Sequence, residues 1–139
     1  MDFEKEINNW LNTVQNISDL SLSEKEKITS AGAEVFRGRL EKETREKHYS
    51  KHKDPIYGHM ADNITVQTKG NNGGVATVGW ENHYHANNAM FLNDGTKKIK
   101  ADHFVTNLQN SDEVKQKVFE AEKEIYDQII ERRGNAINN

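Results

Sequence analysis

Six histidines are the residues of this chain best placed by type to do chemistry. His48 and His52 lie one helical turn apart and share a helix face if the helix continues that far. His83 and His85 share a strand face if that segment is extended. His59 and His103 stand apart from both pairs. Histidine pairs at these spacings can ligate zinc or another transition metal. No His-Glu-x-x-His sequence accompanies them, and the carboxylates fall at no recurring ligand spacing. Solvated or interface histidines are therefore the preferred reading, and no metal or cofactor is expected. Asn82, His83, Tyr84 and His85, with Asp94 and His103, also offer the groups of a metal-dependent nuclease. The competing reading makes Tyr84 and Trp80 core or interface aromatics with the histidines as their polar neighbours. There is no Gly-x-Gly-x-x-Gly, no phosphate-binding loop, no serine elbow and no cysteine nucleophile. No catalytic residue is assigned.

The elements that would carry these groups belong to a chain of 139 residues, expected to form a single domain over 1–139. Only 34% of it is hydrophobic and 29% is charged, so much of the chain must lie on a surface or an interface. A net charge of −3 argues against nonspecific binding to nucleic acid or membrane. The absence of cysteine excludes disulfides and suits a cytoplasmic origin. The N-terminus, Met1 to Glu6, is too charged for a signal peptide. No apolar run approaches the roughly 20 residues that a membrane helix needs.

Phe3, Ile7, Trp10, Leu11, Val14 and Ile17 trace one helix face, so residues 1–20 read as an N-terminal helix able to detach. Ser23 with Glu26 fits a capping box for a second helix, marked by Ile28, Ala31, Val35, Phe36 and Leu40 and reaching toward Tyr49. Asp54-Pro55 ends it. Ile64 to Thr68 and Val75 to Trp80 read as the strands of an antiparallel hairpin, spanning about residues 62–80, around the Gly70-Asn71-Asn72-Gly73-Gly74 loop. Ala86 to Leu92 reads as a short helix capped by Gly95. Ile99 to Phe104 is expected to be a short third strand. Ser111 is the N-cap of a last helix, marked by Val114, Val118, Ala121, Ile125 and Ile129 and running to about Arg133. Residues 134–139 are then a disordered tail. The fold class is α+β: a small antiparallel sheet packed by long N-terminal and C-terminal helices.

Three short motifs stand in order within this frame. Gly58-His59-Met60-Ala61-Asp62-Asn63-Ile64 is similar to a Gly-x-Leu-x-x-Ser-Ile entry into a hairpin. Leu92-Asn93-Asp94-Gly95-Thr96 is similar to a Glu-x-Gly-Thr turn, with Asn93 where an acid is usual. Ala101-Asp102-His103-Phe104 is similar to an Ala-x-Pro-Phe element, with His103 for proline. Together, over roughly residues 30–130, the chain resembles the small head–tail joining and tail-completion proteins of long-tailed bacteriophages. The resemblance implies a structural, non-enzymatic role without cofactors. It implies a ring of copies, a hexamer, in the virion at the head–tail junction, assembled in the bacterial cytoplasm. The implied partners are the head connector or stopper protein and the tail tube protein, with DNA passing the lumen without specific binding and no membrane involved. A slightly acidic chain suits such a lumen.

Asn93, Asp94, Gly95 and Thr96 are read as a fold-defining turn, with Asp94 accepting local backbone hydrogen bonds and Gly95 reversing the chain. The candidate contacts are Trp10, the loop Gly70, Asn71, Asn72, Gly73 and Gly74, and the basic patch Lys97, Lys98 and Lys100. A minor capsid or head-completion role is the alternative among virion proteins, and the metal-dependent nuclease is the alternative of another class.

Overall fold

A computed structural model of the chain describes residues 4, 5, 7, 20–48, 58–68 and 74–138, the last five by backbone alone. It is an α+β fold in which two long helices carry a two-stranded sheet and two shorter helices. Helix α1 spans Leu22–His48. A capping box starts it two residues earlier than the sequence suggested: Ser21 Oγ accepts from the Glu24 N–H and the Glu24 carboxylate accepts from the Ser21 N–H. Arg45, Lys47 and His48 occupy its last turn, where cations oppose the helix dipole favourably. Its inward stripe runs through Ile28, Gly32, Ala33, Leu40 and Thr44, and the Thr44 hydroxyl returns a hydrogen bond to Leu40 O.

A 3-10 turn at Met60–Asn63 leads into strand β1, Ile64–Gln67, which pairs antiparallel with β2, Thr77–Trp80. The register sets Ile64 against Trp80 and Val66 against Val78. A lone two-stranded hairpin is marginal in water. This one lies on α1, with Ile64 buried in the main core and Val78 and Trp80 packed around it. The Trp80 indole N–H finds the Met60 carbonyl at 2.8 Å, so its ring lies in the core without stranding a donor.

Helix α2, His83–Asp94, begins on Asn82, whose side chain accepts from the Tyr84 N–H. It ends at Gly95, φ 84°. The expected third strand is absent among the described residues. Residues 99–103 are irregular, and Phe104 opens a short helix α3, Phe104–Gln109. The reason lies in the helix end. The Asp102 and His103 amides bond the Leu92 and Asn93 carbonyls, which the α2 ladder leaves unpaired. Amides committed to a helix end are not available to a sheet. His103 sits at φ 57° to make the bend.

The first amides of α3 are satisfied from both sides. Asp102 Oδ1 accepts from Phe104 N, and Asn93 Oδ1 accepts from Val105 N and Thr106 N at 3.0 and 3.1 Å. Asp102 Oδ2 also meets His48 Nε2 at 2.6 Å, tying the end of α1 to the start of α3. Phe104, fully buried, fills the space between, against Leu40, Ile64, Ala89, Leu108 and Val114.

Helix α4 spans Asp112–Asn138, with Ser111 Oγ accepting from Val114 N. It continues past Arg133 through 134–138, the stretch read as a tail, since no proline interrupts it. It packs along α1 through a second core of Leu20, Ile28, Tyr126 and Ile129. Midway, Glu122 lies across Gly32, where a Cβ would overlap its carboxylate. The carboxyl borders an apolar hollow of about 330 Å³ walled by Phe36, Val118, Phe119 and Ile7. Burial there pushes its pKa up to about 7.

Two predictions follow from these contacts. The Glu122 carboxyl ionises near 4.5 in the unfolded chain but near 7 in the fold. Its contribution is therefore intact below pH 4.5 and is lost as pH rises through 7. Glu122→Gln should stabilise the protein at pH 8 by about 2 kcal/mol, less than full linkage because part of the group still meets water. At pH 4 it should change little. Urea melts of both proteins at the two pH values check this, and equal gains at both would refute it. Asn93→Ala strips two α3 amides of their shared acceptor and should cost about 1–2 kcal/mol. Asn93→Asp keeps an acceptor and should cost clearly less; an equal loss would show that the cap is not what matters.

Candidate assembly surface

Helix α2 is oriented against the usual rule. Its inward face carries His85, 2% exposed, and Ala89, while Asn93 reaches α3. Its outward face carries Tyr84, Met90 and Phe91, exposed to 50%, 49% and 40%. Positions 84, 87, 90, 91 and 94 share that side of a helix, so the three large side chains form one face rather than scattered exposures. Single exposed hydrophobics need no explanation, but three large ones on one helix face, with Asn87 and Asp94 among them, make that face a candidate contact surface.

The turn after α2 adds charge beside this face. Gly95 holds the positive φ that its place demands, and a Cβ there would meet Ala101 N at 2.9 Å. Thr96 Oγ1 accepts from Lys98 N and Ile99 N, and Thr96 N bonds Ile99 O at 2.8 Å, closing a tight loop. The acceptors that organise the turn are thus Asn93 and Thr96; Asp94 is exposed and meets only the Asn93 amide among the described contacts. Lys97, Lys98 and Lys100 all project from the loop, and none takes an ion pair with a described residue. Ile99, 39% exposed, lies among them.

The structure places the other sequence candidates elsewhere. Trp10 and the loop residues Gly70, Asn71, Asn72 and Gly73 lie outside the described residues. Gly74 is buried, not exposed: Thr29 Oγ1 donates to its carbonyl at 2.6 Å, and Lys25 lies where its Cβ would be. His83 and His85 fall in the first turn of a helix rather than on a strand, so one is exposed and the other buried. His48 is joined to Asp102 and edge-on to Phe104, and His52 lies outside the described residues. His103 forms the bend before α3. The nuclease constellation is pulled apart: Asn82 caps one end of α2 and Asp94 lies at the other, roughly 18 Å away along the axis. Among the described residues no three histidines and acids gather as a metal-holding group.

One charged feature escaped the sequence reading. Glu113, Glu120, Glu124, Asp127 and Glu131 are all exposed on α4 and recur at helical spacing along a single line, with Lys117 the only cation in it. The row is written in the sequence at the same period as the apolar stripe, on the outer side of the helix. No helix among the described residues is long and apolar enough to cross a membrane.

Comparison with known proteins bears on what such a surface serves. Residues 9–95 match the family model described as "Bacteriophage HK97-gp10, putative tail-component". The match takes in α1, the hairpin and α2 as far as Gly95. It stops before the Ala101–Phe104 element. No curated protein and no solved structure matches the chain. With more than half its length matched, and with the α+β order of long helix, hairpin and short helix in the matched region, this chain belongs to the HK97-gp10-like family of bacteriophage tail components.

Proposed function

We propose that the protein completes the phage tail and joins it to the head connector, acting as a non-enzymatic subunit of a ring at the junction, a hexamer. Membership in a tail-component family carries this reading. The outward apolar face of α2 supports it, since a subunit that works by association needs surface that water does not suit. Its direct partners are further copies of itself, the connector or stopper protein and the tail tube protein. Its place is the virion, reached after assembly in the bacterial cytoplasm.

The charge balance supports a passive lumen. A net charge of −3 and a line of exposed carboxylates along α4 disfavour a phosphate-gripping track on the long helices. Arg37 lies between Glu34 and Glu41, and Arg45 between Glu41 and Asp62, so these cations are already spoken for within the chain. A ring subunit also needs two different surfaces related by a rotation that closes. The α2 face and the acidic row of α4 are of different chemistry, as such a contact requires.

Two measurements test the placement. A gold label on the chain in purified virions should lie at the neck, between head and tail. A label along the tube or at the distal tip would overturn the reading. Cells infected with phage lacking the gene should accumulate filled heads and separate tails. Joined particles without the protein would also overturn it.

A further inference from the structure

We infer that the apolar face of α2 and its lysine loop dock on the acidic row of α4 in a second copy of this chain. The inference deepens the proposed ring-forming role and rests on it, because it names the two surfaces that meet.

The lysine side is unsatisfied. Lys97, Lys98 and Lys100 stand exposed around Ile99, past the end of α2 that carries Met90 and Phe91, and no described carboxylate pairs with them. The surface that would accept them must be acidic, with some apolar area at its edge. Helix α4 offers both. Its exposed row holds five carboxylates and one lysine. Glu113 is paired to Arg39 and Asp127 to Lys123, and Glu120 lies 3.9 Å from Lys117. Glu124 and Glu131 have no ion pair with a described residue. Ile130, 36% exposed, flanks the row.

The lysine loop and the unpaired part of the row, Glu124 and Glu131, cannot meet within one chain, although the row begins at Glu113, beside Arg39. The lysine loop lies by the C-terminal end of α1, where His48 meets Asp102 at 2.6 Å. The end of the acidic row lies by the N-terminal end of α1, where Arg133 meets Glu24 at 2.6 Å. From Glu24 to His48 the helix is roughly 36 Å long. Glu124 and Glu131 therefore meet these lysines only between copies. Because the surfaces differ, a copy docked through its lysines still presents its own acidic row. Such contacts run head to tail and either close into a ring or continue as a filament.

Zero-length carbodiimide coupling tests the contact directly, since it joins an amine to a carboxylate already touching it. In concentrated full-length protein and in purified virions, Lys97, Lys98 or Lys100 should couple to Glu124 or Glu131. Given their separation in one chain, each such product is intermolecular. The variant K97E/K98E/K100E should lose these products and self-associate on the order of tenfold more weakly at low salt. Adding E124K/E131K to it should restore association. Lysine-loop products confined to other partners, no such products in either sample, or a failed restoration with both variants folded by circular dichroism would overturn the contact. A neck-located label without these products would sink this inference alone. The products without a neck label would sink only the placement.

Discussion

The outward surface of the protein depends on the joint between α2 and α3. A helix end leaves carbonyls unpaired and a helix start leaves amides unpaired. Here the two deficits meet. The Leu92 and Asn93 carbonyls take the Asp102 and His103 amides, and the Asn93 side chain takes the Val105 and Thr106 amides. Asp102 completes the set with Phe104 N and binds His48 on α1. Once these bonds form, α2 has no rotational freedom about its axis. His85 and Ala89 must face inward, and Tyr84, Met90 and Phe91 must face out. Residues 96–100 are left as an external loop, and their lysines go with it. Exposure of the apolar face is thus a consequence of backbone hydrogen bonding elsewhere, enforced by the buried ring of Phe104.

The long helices set the other surface in a similar way. Val114, Tyr126 and Ile129 are buried on α4, and they fix which side of it meets α1. The row from Glu113 to Glu131 then has no choice but to face solvent. Between the helices, Gly32 and Glu122 are fitted to each other. Without a side chain at 32, α4 lays a carboxyl across α1, and burial there raises its pKa to about 7. A hydrophobic residue at 122 would avoid that cost, so the position trades stability for pH sensitivity in the very contact that aligns α1 with α4.

Much of this was legible from residue order. The long helices, the hairpin and the Gly95 cap follow from apolar periodicity and turn chemistry. The α1 capping box was misplaced because Ser21-Leu22-Ser23-Glu24 and Ser23-Glu24-Lys25-Glu26 compete as start signals, and only the folded contacts choose Ser21 with Glu24. The third strand failed for a deeper reason. Ile99 and Phe104 favour a strand at either end of this segment, but the Asp102 and His103 amides are claimed by a helix end distant in the pattern though near in space. Local propensity cannot register that competition. The paired histidines misled because their spacing has meaning only once the element is known: two residues apart is one face of a strand and opposite sides of a helix. Asn93 departs from the acid usual at this motif position. Its value lies in contacts to Val105 and Thr106 that no window around it contains.

An exposed apolar face is also a hazard, and its neighbours show how the hazard is contained. Tyr84, Met90, Phe91 and Ile99 would by themselves attract any hydrophobic surface. Three lysines at the Phe91 end of this face disfavour a parallel pairing of α2 on α2, which would bring like charges together. They likewise disfavour a basic or purely apolar partner, which would leave the ammonium groups unpaired at the contact edge. What remains favourable is a surface combining carboxylates with modest apolar area. The charge therefore does less to strengthen association than to choose its geometry. In the proposed self-association the lysines disfavour the symmetric dimer relative to a head-to-tail contact, and a contact of that kind is the one that can build a closed ring from identical subunits larger than a pair.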